Sequence, residues 1–396
     1  MTGATARDDA RYDYVLVGGG LQNGLIALAL LARDPGARVL LVEQGEALGG
    51  NHTWSFHEGT IPAAMLGVLA RLTEHRWPRY RVRFPGVARV VEHPYATVSS
   101  ERFHAVVSEA FAAAPNARLQ LATRALEVGA EHAVLEGGER VTGVVVVDAR
   151  GPDAGALPAE TGFQKFVGLE VELADDLADP GTAELIDATV PQRGGFRFVY
   201  TLPFGPRRAL VEDTVFANEP DLDEAGMRAA VLAYCERRGM RVTAILREEK
   251  GVLPMPWRPT TAMRATPPLV AGYQGGWFHP ATGYSVPVAA RLAAFVAERP
   301  PGAVFGADLA ALVREQEEQA RFGYLLNELL FKATAPEKRF GVFEHFYEHP
   351  DELILRFYGL ELTAADKRRM FLRRPPPGVS FLKAARVLPG WLLGRR

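Results

Sequence analysis

The first apolar run of the chain, residues 14–17 (YVLV), ends in three glycines. Residues 25–33 then carry apolar side chains at helical spacing, and Asp34-Pro35-Gly36 stops them. Residues 38–42 (RVLLV) form a second apolar run ending at Glu43, so the N-terminus predicts a strand–helix–strand unit. Residues 143–147 (GVVVV) are a third run, continuous rather than alternating, as suits a strand buried on both faces. The middle of the chain differs. Residues 163–173, 196–202 and 209–216 are β-rich and more alternating, which predicts antiparallel pairing. Residues 269–272 read as a buried strand again and 287–298 as a helix. From Asp308 onward the periodicity is mostly helical.

These elements predict an α/β chain. A nucleotide-binding sheet is assembled from 12–155 and 265–300, a β-rich substrate domain is inserted at 156–264, and a helical region follows at 301–396. The length of 396 residues fits about two domains. With 48% hydrophobic and 23% charged residues the composition is globular, and a net charge of -2 argues against a nucleic-acid partner. Cys235 is the one cysteine, which excludes an intrachain disulfide and a dithiol pair and suggests a reducing compartment. Residues 1–11 lack the apolar run of a signal peptide, and no run approaches the roughly 20 apolar residues of a membrane span. The sequence assigns no oligomeric state.

Gly18, Gly20 and Gly24 lie between the first strand and its helix. Side chains there would hold the backbone away from a pyrophosphate, while the helix N–H groups and dipole attract it. Glu43 stands where a ribose hydroxyl would be held. The spacing departs from G-x-G-x-x-G, because Asn23 fills the third position and Gly24 comes one later. The glycine-rich loop after Glu43 suits an extended FAD. The segment 269–285 (LVAGYQGGWFHPATGYS) is again strand, glycine-rich turn and helix, an element that brings a second helix N-terminus to such a cofactor. Flavoproteins often carry Gly-Asp in that turn. Here the Asp is missing, which leaves the ribityl chain to backbone groups. His52, Thr53 and Trp54 in one loop, and His279, Thr282 and Gly283 in the other, are expected near the flavin. A histidine there reads either as a proton relay or as a satisfied loop donor.

Read in order, GGGLQNGLIALAL (18–30), GGNHTWSFH (49–57), GFQKFVGLEVEL (162–173), DATVPQRGGFRFVYTLPF (187–204), LVEDT (210–214), GVLPMPW (251–257), GWFHPATGYSVPVA (276–289), RFGYLLNELLF (321–331) and FYGLELTAADK (357–367) resemble the lycopene β-cyclases of bacterial carotenoid pathways. The resemblance implies an FAD-binding Rossmann-like domain related to flavin hydroxylases. It implies redox-neutral, acid-catalysed cyclisation of the acyclic ends of lycopene, or a related acyclic carotenoid, to β-ionone rings, giving γ-carotene and then β-carotene. Reduced FAD is required, with NAD(P)H as its expected electron donor. The family's acidic motif falls on Glu212 and Asp213.

Cyclisation needs a general acid, a cation-tolerant pocket and exclusion of bulk water. An ordinary Glu has a pKa near 4.3, so only about one in 500 is protonated at pH 7. An apolar face raises that value. Leu210, Glu212, Thr214 and Phe216 share one strand face, while Asp213 points to the other between Val211 and Val215, where it would position or support. On spacing alone the two acids read more readily as an acidic pair in a turn or strand end, and the resemblance reverses this for Glu212. Phe196, Phe198 and Tyr200 form the neighbouring face and, with Phe216, are expected to line the substrate pocket, their rings stabilising a cation. Plain core packing is the alternative. Glu344-His345 and Glu348-His349 have metal-ligand spacing, but no second such helix is visible and no metal is expected. Residues 366–396 hold nine Lys/Arg and one Asp among Phe371, Phe381, Leu388, Trp391, Leu392 and Leu393. That reads as a membrane-surface anchor or as a solvated basic tail. The expected location is cytoplasmic, peripheral at the inner face of the cell membrane. Two rival functions remain at this stage. A flavin-dependent hydroxylase or reductase acting on an apolar isoprenoid would use the same fold, and a carotenoid carrier would need neither the glycine turn nor a buried acid.

Overall fold

The computed structural model describes residues 11–151, 160–259, 262–372 and 376–392. Tyr12–Val17 lies in parallel between Val39–Val42 and Arg140–Asp148. Val39–Val42 continues to Arg118–Gln120, and Arg140–Asp148 to Leu269–Val270, also in parallel. The cause is the pattern of the central runs: 15–17 and 39–42 are apolar at every position and buried on both faces, so they suit the middle of a covered sheet. The helix Leu21–Arg33 packs beside Val286–Ala297. It begins four residues before the predicted start, because Gln22 and Asn23 are buried and bonded rather than solvated. Gln22 Nε2 donates to the Ala289 carbonyl, and Asn23 Nδ2 to those of Val17 and Gly18. A meander, Ala125–Val128 and His132–Leu135, extends this sheet antiparallel to the start of Arg140–Asp148 and was not predicted.

The second sheet runs Val242–Pro256, Thr161–Leu173, Arg208–Ala217, Phe196–Pro203, Thr182–Asp187, Arg79–Arg83, Ala88–Val91. Its first four pairings are antiparallel, as expected. Two features correct the expectation. Thr182–Asp187 pairs in parallel with Arg79–Arg83, and the last two strands come from the 12–155 segment, so the substrate sheet is not confined to 156–264. Val242–Pro256 was also unforeseen, since the charges of 247–250 hide its alternation.

The predicted period of two holds in this sheet. Val167, Val199, Val211 and Val215 face Met227, Val231 and Tyr234 of the helix Glu224–Arg237. Leu210, Phe196, Phe198 and Phe216 face the other way, toward Phe331, Phe346 and Phe357 of the C-terminal region. That region therefore closes the substrate face rather than standing apart. A small sheet of Thr53–His57, Tyr95–Ser99 and His75–Trp77 carries Thr53 and His57 to the same place. No described helix is long and apolar enough to cross a membrane.

Candidate functional site

Each glycine of the first turn has its own physical reason. Gly18 has φ +98°, and a Cβ there would lie 2.5 Å from the Ala149 carbonyl oxygen. Gly24 packs so closely that a Cβ would meet the Phe103 ring at 2.1 Å, which explains the shifted third glycine. A Cβ on Gly20 would meet nothing within 4 Å. The need for glycine at position 20 is thus not set by the protein's own packing. It leaves open space at the N-terminus of a 13-residue helix, where a pyrophosphate finds unpaired N–H groups. Glu43 accepts from Gly19 N–H at 2.6 Å and Gly45 N–H at 2.7 Å, which fixes its carboxylate at the end of the second strand. Gly18, Glu43, Gln44, Arg124, Arg150 and Gln274 line a cleft of about 580 Å³ there. The residues fit an extended dinucleotide.

The second loop behaves differently from expectation. His279 is buried with both ring nitrogens used: Nδ1 accepts from Ala281 N–H at 3.1 Å, and Nε2 lies 2.8 Å from the Phe357 carbonyl. Burial pushes it down to about 4. It is a satisfied loop residue, the second of the two readings its sequence allows. Thr282 accepts from Tyr284 N–H at 3.3 Å. Gly283 has φ +72° and lies beside Gln164 and Leu253 of the second sheet, so this turn spans from one sheet to the other. His52 is exposed beside Trp54, with ring centroids 5.8 Å apart.

Across the second sheet, Tyr200, Glu212, Gly168 and Glu249 are register partners on four adjacent strands. Their side chains therefore share a face. Glu212 is buried, and its Oε1 accepts from Thr214 Oγ1 at 2.9 Å. Its Oε2 has no hydrogen-bond partner among the described residues. Burial first, and the Glu249 carboxyl second, push Glu212 well above the ordinary carboxylate value, while Tyr200 and Thr214 pull the other way. A Cβ on Gly168 would sit 2.9 Å from Glu212 Oε2 and 3.0 Å from Glu249 Cγ, so glycine there makes room for both side chains.

Glu249 was missed. Its local sequence, REEK, reads as a solvated charge run, and nothing nearby marks it as buried. Its Oε2 accepts from Thr53 Oγ1 at 2.8 Å and from Arg247 Nη1 at 2.8 Å. Arg247 also reaches Asn51 Oδ1 at 3.0 Å and Glu170 Oε2 at 3.1 Å. Thr53, expected at the flavin, is thus placed on the acid cluster. Asp213 takes the opposite face, as its strand position predicted, and holds Arg197 through two bonds of 2.8 and 2.9 Å. The structure does not bring it to Glu212, which leaves it the positioning or supporting place that its strand position predicts.

Phe196, Phe198, Tyr200 and Phe216 do gather on the Glu212 face. Phe196 stacks on Phe198 at 5.0 Å and on Phe343 at 4.0 Å. Nearby, His57 is fully buried among Tyr80, Tyr95, Tyr284 and Tyr358, with ring centroids 4.6–5.9 Å away. Burial pushes it down to about 3. It lies inside a motif already noted but was not singled out, because these tyrosines are distant in sequence. In the Glu344–His349 stretch, His345 Nδ1 is 3.5 Å from Glu348, and Glu344 accepts from Gly86 N–H. Among the described residues no three His, Cys, Asp or Glu side chains gather as a metal site.

The family model described as lycopene cyclase protein matches residues 13–384. A lycopene beta-cyclase of Pseudescherichia vulneris is 40% identical over 374 residues, covering 92% of this chain and 94% of that protein. Among solved structures, a geranylgeranyl bacteriochlorophyll reductase-like protein of Thermoplasma acidophilum superposes with TM-score 0.65 at 14% identity, over 96% of this chain and 98% of that one. A probable FAD-dependent monooxygenase of Pseudomonas aeruginosa gives TM-score 0.59 at 17% identity, over 86% and 100%. These two show a shared α/β fold.

Proposed function

The chain belongs to the lycopene cyclase family, and from that premise we propose how its residues close the ring. Its activity is that of a lycopene β-cyclase, an enzyme of carotenoid cyclisation. The observation that carries the reading is Glu212: a buried carboxyl, held toward its neutral form, with an unpartnered oxygen on an aromatic face.

Glu212 gives its proton to the terminal double bond of the acyclic end. The neighbouring double bond attacks the resulting cation and closes the ring. Loss of a proton beside the new cation forms the ring double bond, so no electrons are gained or lost. Phe196, Phe198, Tyr200 and Phe216 pack the polyene and offer ring faces to the cation. The same apolar packing keeps out water that would trap it.

FAD fits the first turn. Gly20, open at the helix N-terminus, would receive the pyrophosphate in the turn that Gly18 and Gly24 shape, Glu43 the ribose, and the loops around His52 and at 282–283 the remainder. In the reduced form, with NAD(P)H as donor, FAD supplies an electron-rich ring system to the site. The substrate arrives from a membrane, and the C-terminal helices suit docking there. Leu372, Phe381 and Leu382 are 83%, 77% and 76% exposed, on helices that also bear Lys367, Arg368, Arg369, Lys383 and Arg386. Phe371 is exposed beside them and Leu388 half-buried. The side chains of Trp391 and Leu392, and Leu393, lie outside the described residues. This reading is of a peripheral protein at the inner face of the cell membrane.

The test is anaerobic incubation of the protein with lycopene and reduced FAD, followed by pigment analysis. γ-Carotene and β-carotene are expected, without consumption of reductant in proportion to rings. No ring formation until air is admitted, or oxidation of one reduced FAD per product, would favour a hydroxylase or reductase instead.

A further inference from the structure

Two buried carboxyls lean toward one glycine from opposite sides. Glu212 and Glu249 are the register partners of Gly168 on its two neighbouring strands, and a Cβ at 168 would press on both, 2.9 Å from Glu212 Oε2 and 3.0 Å from Glu249 Cγ. Their surroundings are unequal. Glu249 receives hydrogen bonds from Arg247 and Thr53, which are the partners an anion needs. Glu212 receives one hydroxyl from Thr214 and keeps an oxygen with no partner, an expensive place for a charge. The other polar groups facing the pair are Tyr200 and Tyr95 beside Glu212, and Glu170 and His52 beside Arg247 and Glu249. Arg247 bonds to Glu249 and Glu170, and none of its described hydrogen bonds goes to Glu212.

We infer that Glu249 is a positioning residue for ring closure: it and Glu212 form a carboxyl pair across Gly168 that holds one proton, with Arg247 and Thr53 fixing the charge on Glu249 and the proton on Glu212. The inference rests on Glu212 being the acid. Two like charges at this separation disfavour each other, so the pair resists losing its shared proton to water. The same repulsion serves the second half of the reaction. When the Glu212 O–H bond breaks and a C–H bond forms on the substrate, two carboxylates stand side by side. The cation's neighbouring C–H then breaks, its electron pair becomes the ring double bond, and the proton returns to Glu212. The pair ends as it began, with no oxidant or reductant used.

The test is the pH–rate profile of cyclisation by the flavin-loaded wild type and the variants Glu249→Gln, Gly168→Ala and Glu212→Gln. Wild-type activity falls on an alkaline limb as Glu212 loses its proton. Removing the Glu249 charge moves that limb down by about one pH unit or more. One unit above the wild-type midpoint the rate drops about 10-fold further, while the low-pH plateau survives. A uniform loss at every pH, or a limb that stays in place, overturns the pair and makes Glu249 merely structural. Glu212→Gln lacks the plateau at any pH. A wild-type rate in that variant removes the acid itself and is distinguishable from failure of the pair alone. Should Glu249→Gln not fold, infrared spectra of the wild type and Gly168→Ala decide. The wild type shows the carbonyl stretch of a protonated buried carboxyl at neutral pH, and the alanine wedge makes it titrate lower. Absence of that band in the wild type overturns the proposal.

Discussion

The glycine turn and the acid face meet opposite physical demands. At the turn an anion must reach the backbone, so side chains are removed, and position 20 is left open over a helix N-terminus. On the acid face a proton must be kept from water, so side chains are crowded in from four strands and the C-terminal helices, and Gly168 is small to admit two of them. The turn is made by neighbours in sequence. The acid face joins residues 53, 168, 200, 212 and 249. The first should tolerate changes that block its ligand without disturbing the fold, and the second should not separate so cleanly, since its chemistry and its packing use the same side chains.

The largest effect should come at the turn. Gly20→Val is expected to abolish flavin binding while the flavin-free protein melts near the wild-type temperature, because a Cβ at this position meets no protein atom within 4 Å. Gly24→Val should instead lose fold and flavin together, with a Cβ driven to 2.1 Å from Phe103. Flavin absorbance after gel filtration, with a thermal melt, reads both. A folded Gly20→Val protein with full flavin would break the distinction.

Asp213→Asn sharpens the comparison on the other side. It strips the half-buried Arg197 of the anion that the buried Asp213 supplies and should lower the unfolding free energy by about 1.5–3 kcal/mol in urea titration, with the alkaline limb of activity unmoved. A moved limb would return Asp213 to the acid's proton.

A smaller effect follows from linkage at Glu212. Its folded value lies above the unfolded one, so the folded protein binds this proton more tightly. Stability from this group is full at low pH and declines as pH rises from the unfolded value toward the folded one. Glu212→Gln should remove that decline and make the protein relatively more stable at pH 8 than the wild type. Equal pH slopes in chemical denaturation would deny the shift.

The smallest effect belongs to the tail. Each basic residue near an anionic surface contributes about 1 kcal/mol, so Lys383→Glu with Arg386→Glu should weaken vesicle binding at low salt and change little at high salt. Vesicle binding that ignores both changes would favour a solvated tail.

What was legible in the sequence follows the same division. The strand–helix–strand unit, the glycine turn and the alternation around Glu212 are local patterns, and each appears where its pattern predicts. The exclusion of Asp213 from the Glu212 face was legible too, from period two alone. Glu249 was not, because a charged run reads as solvated unless the partners that bury it are known, and these are Thr53 and a glycine 81 residues away. His57 and its tyrosines are hidden for the same reason. The recruitment of Arg79–Arg83 to the substrate sheet depends on a parallel pairing with Thr182–Asp187 that no short-range signal marks.

Ring closure depends on Glu212 as the proton donor, and the most direct measurement is the cyclisation rate of Glu212→Gln loaded with FAD and lycopene. The amide keeps the shape and the Thr214 hydrogen bond but supplies no acidic proton. A loss of about 100-fold or more, with flavin and carotenoid still bound, is the predicted result. Turnover near the wild-type rate would contradict it and remove Glu212 from the reaction.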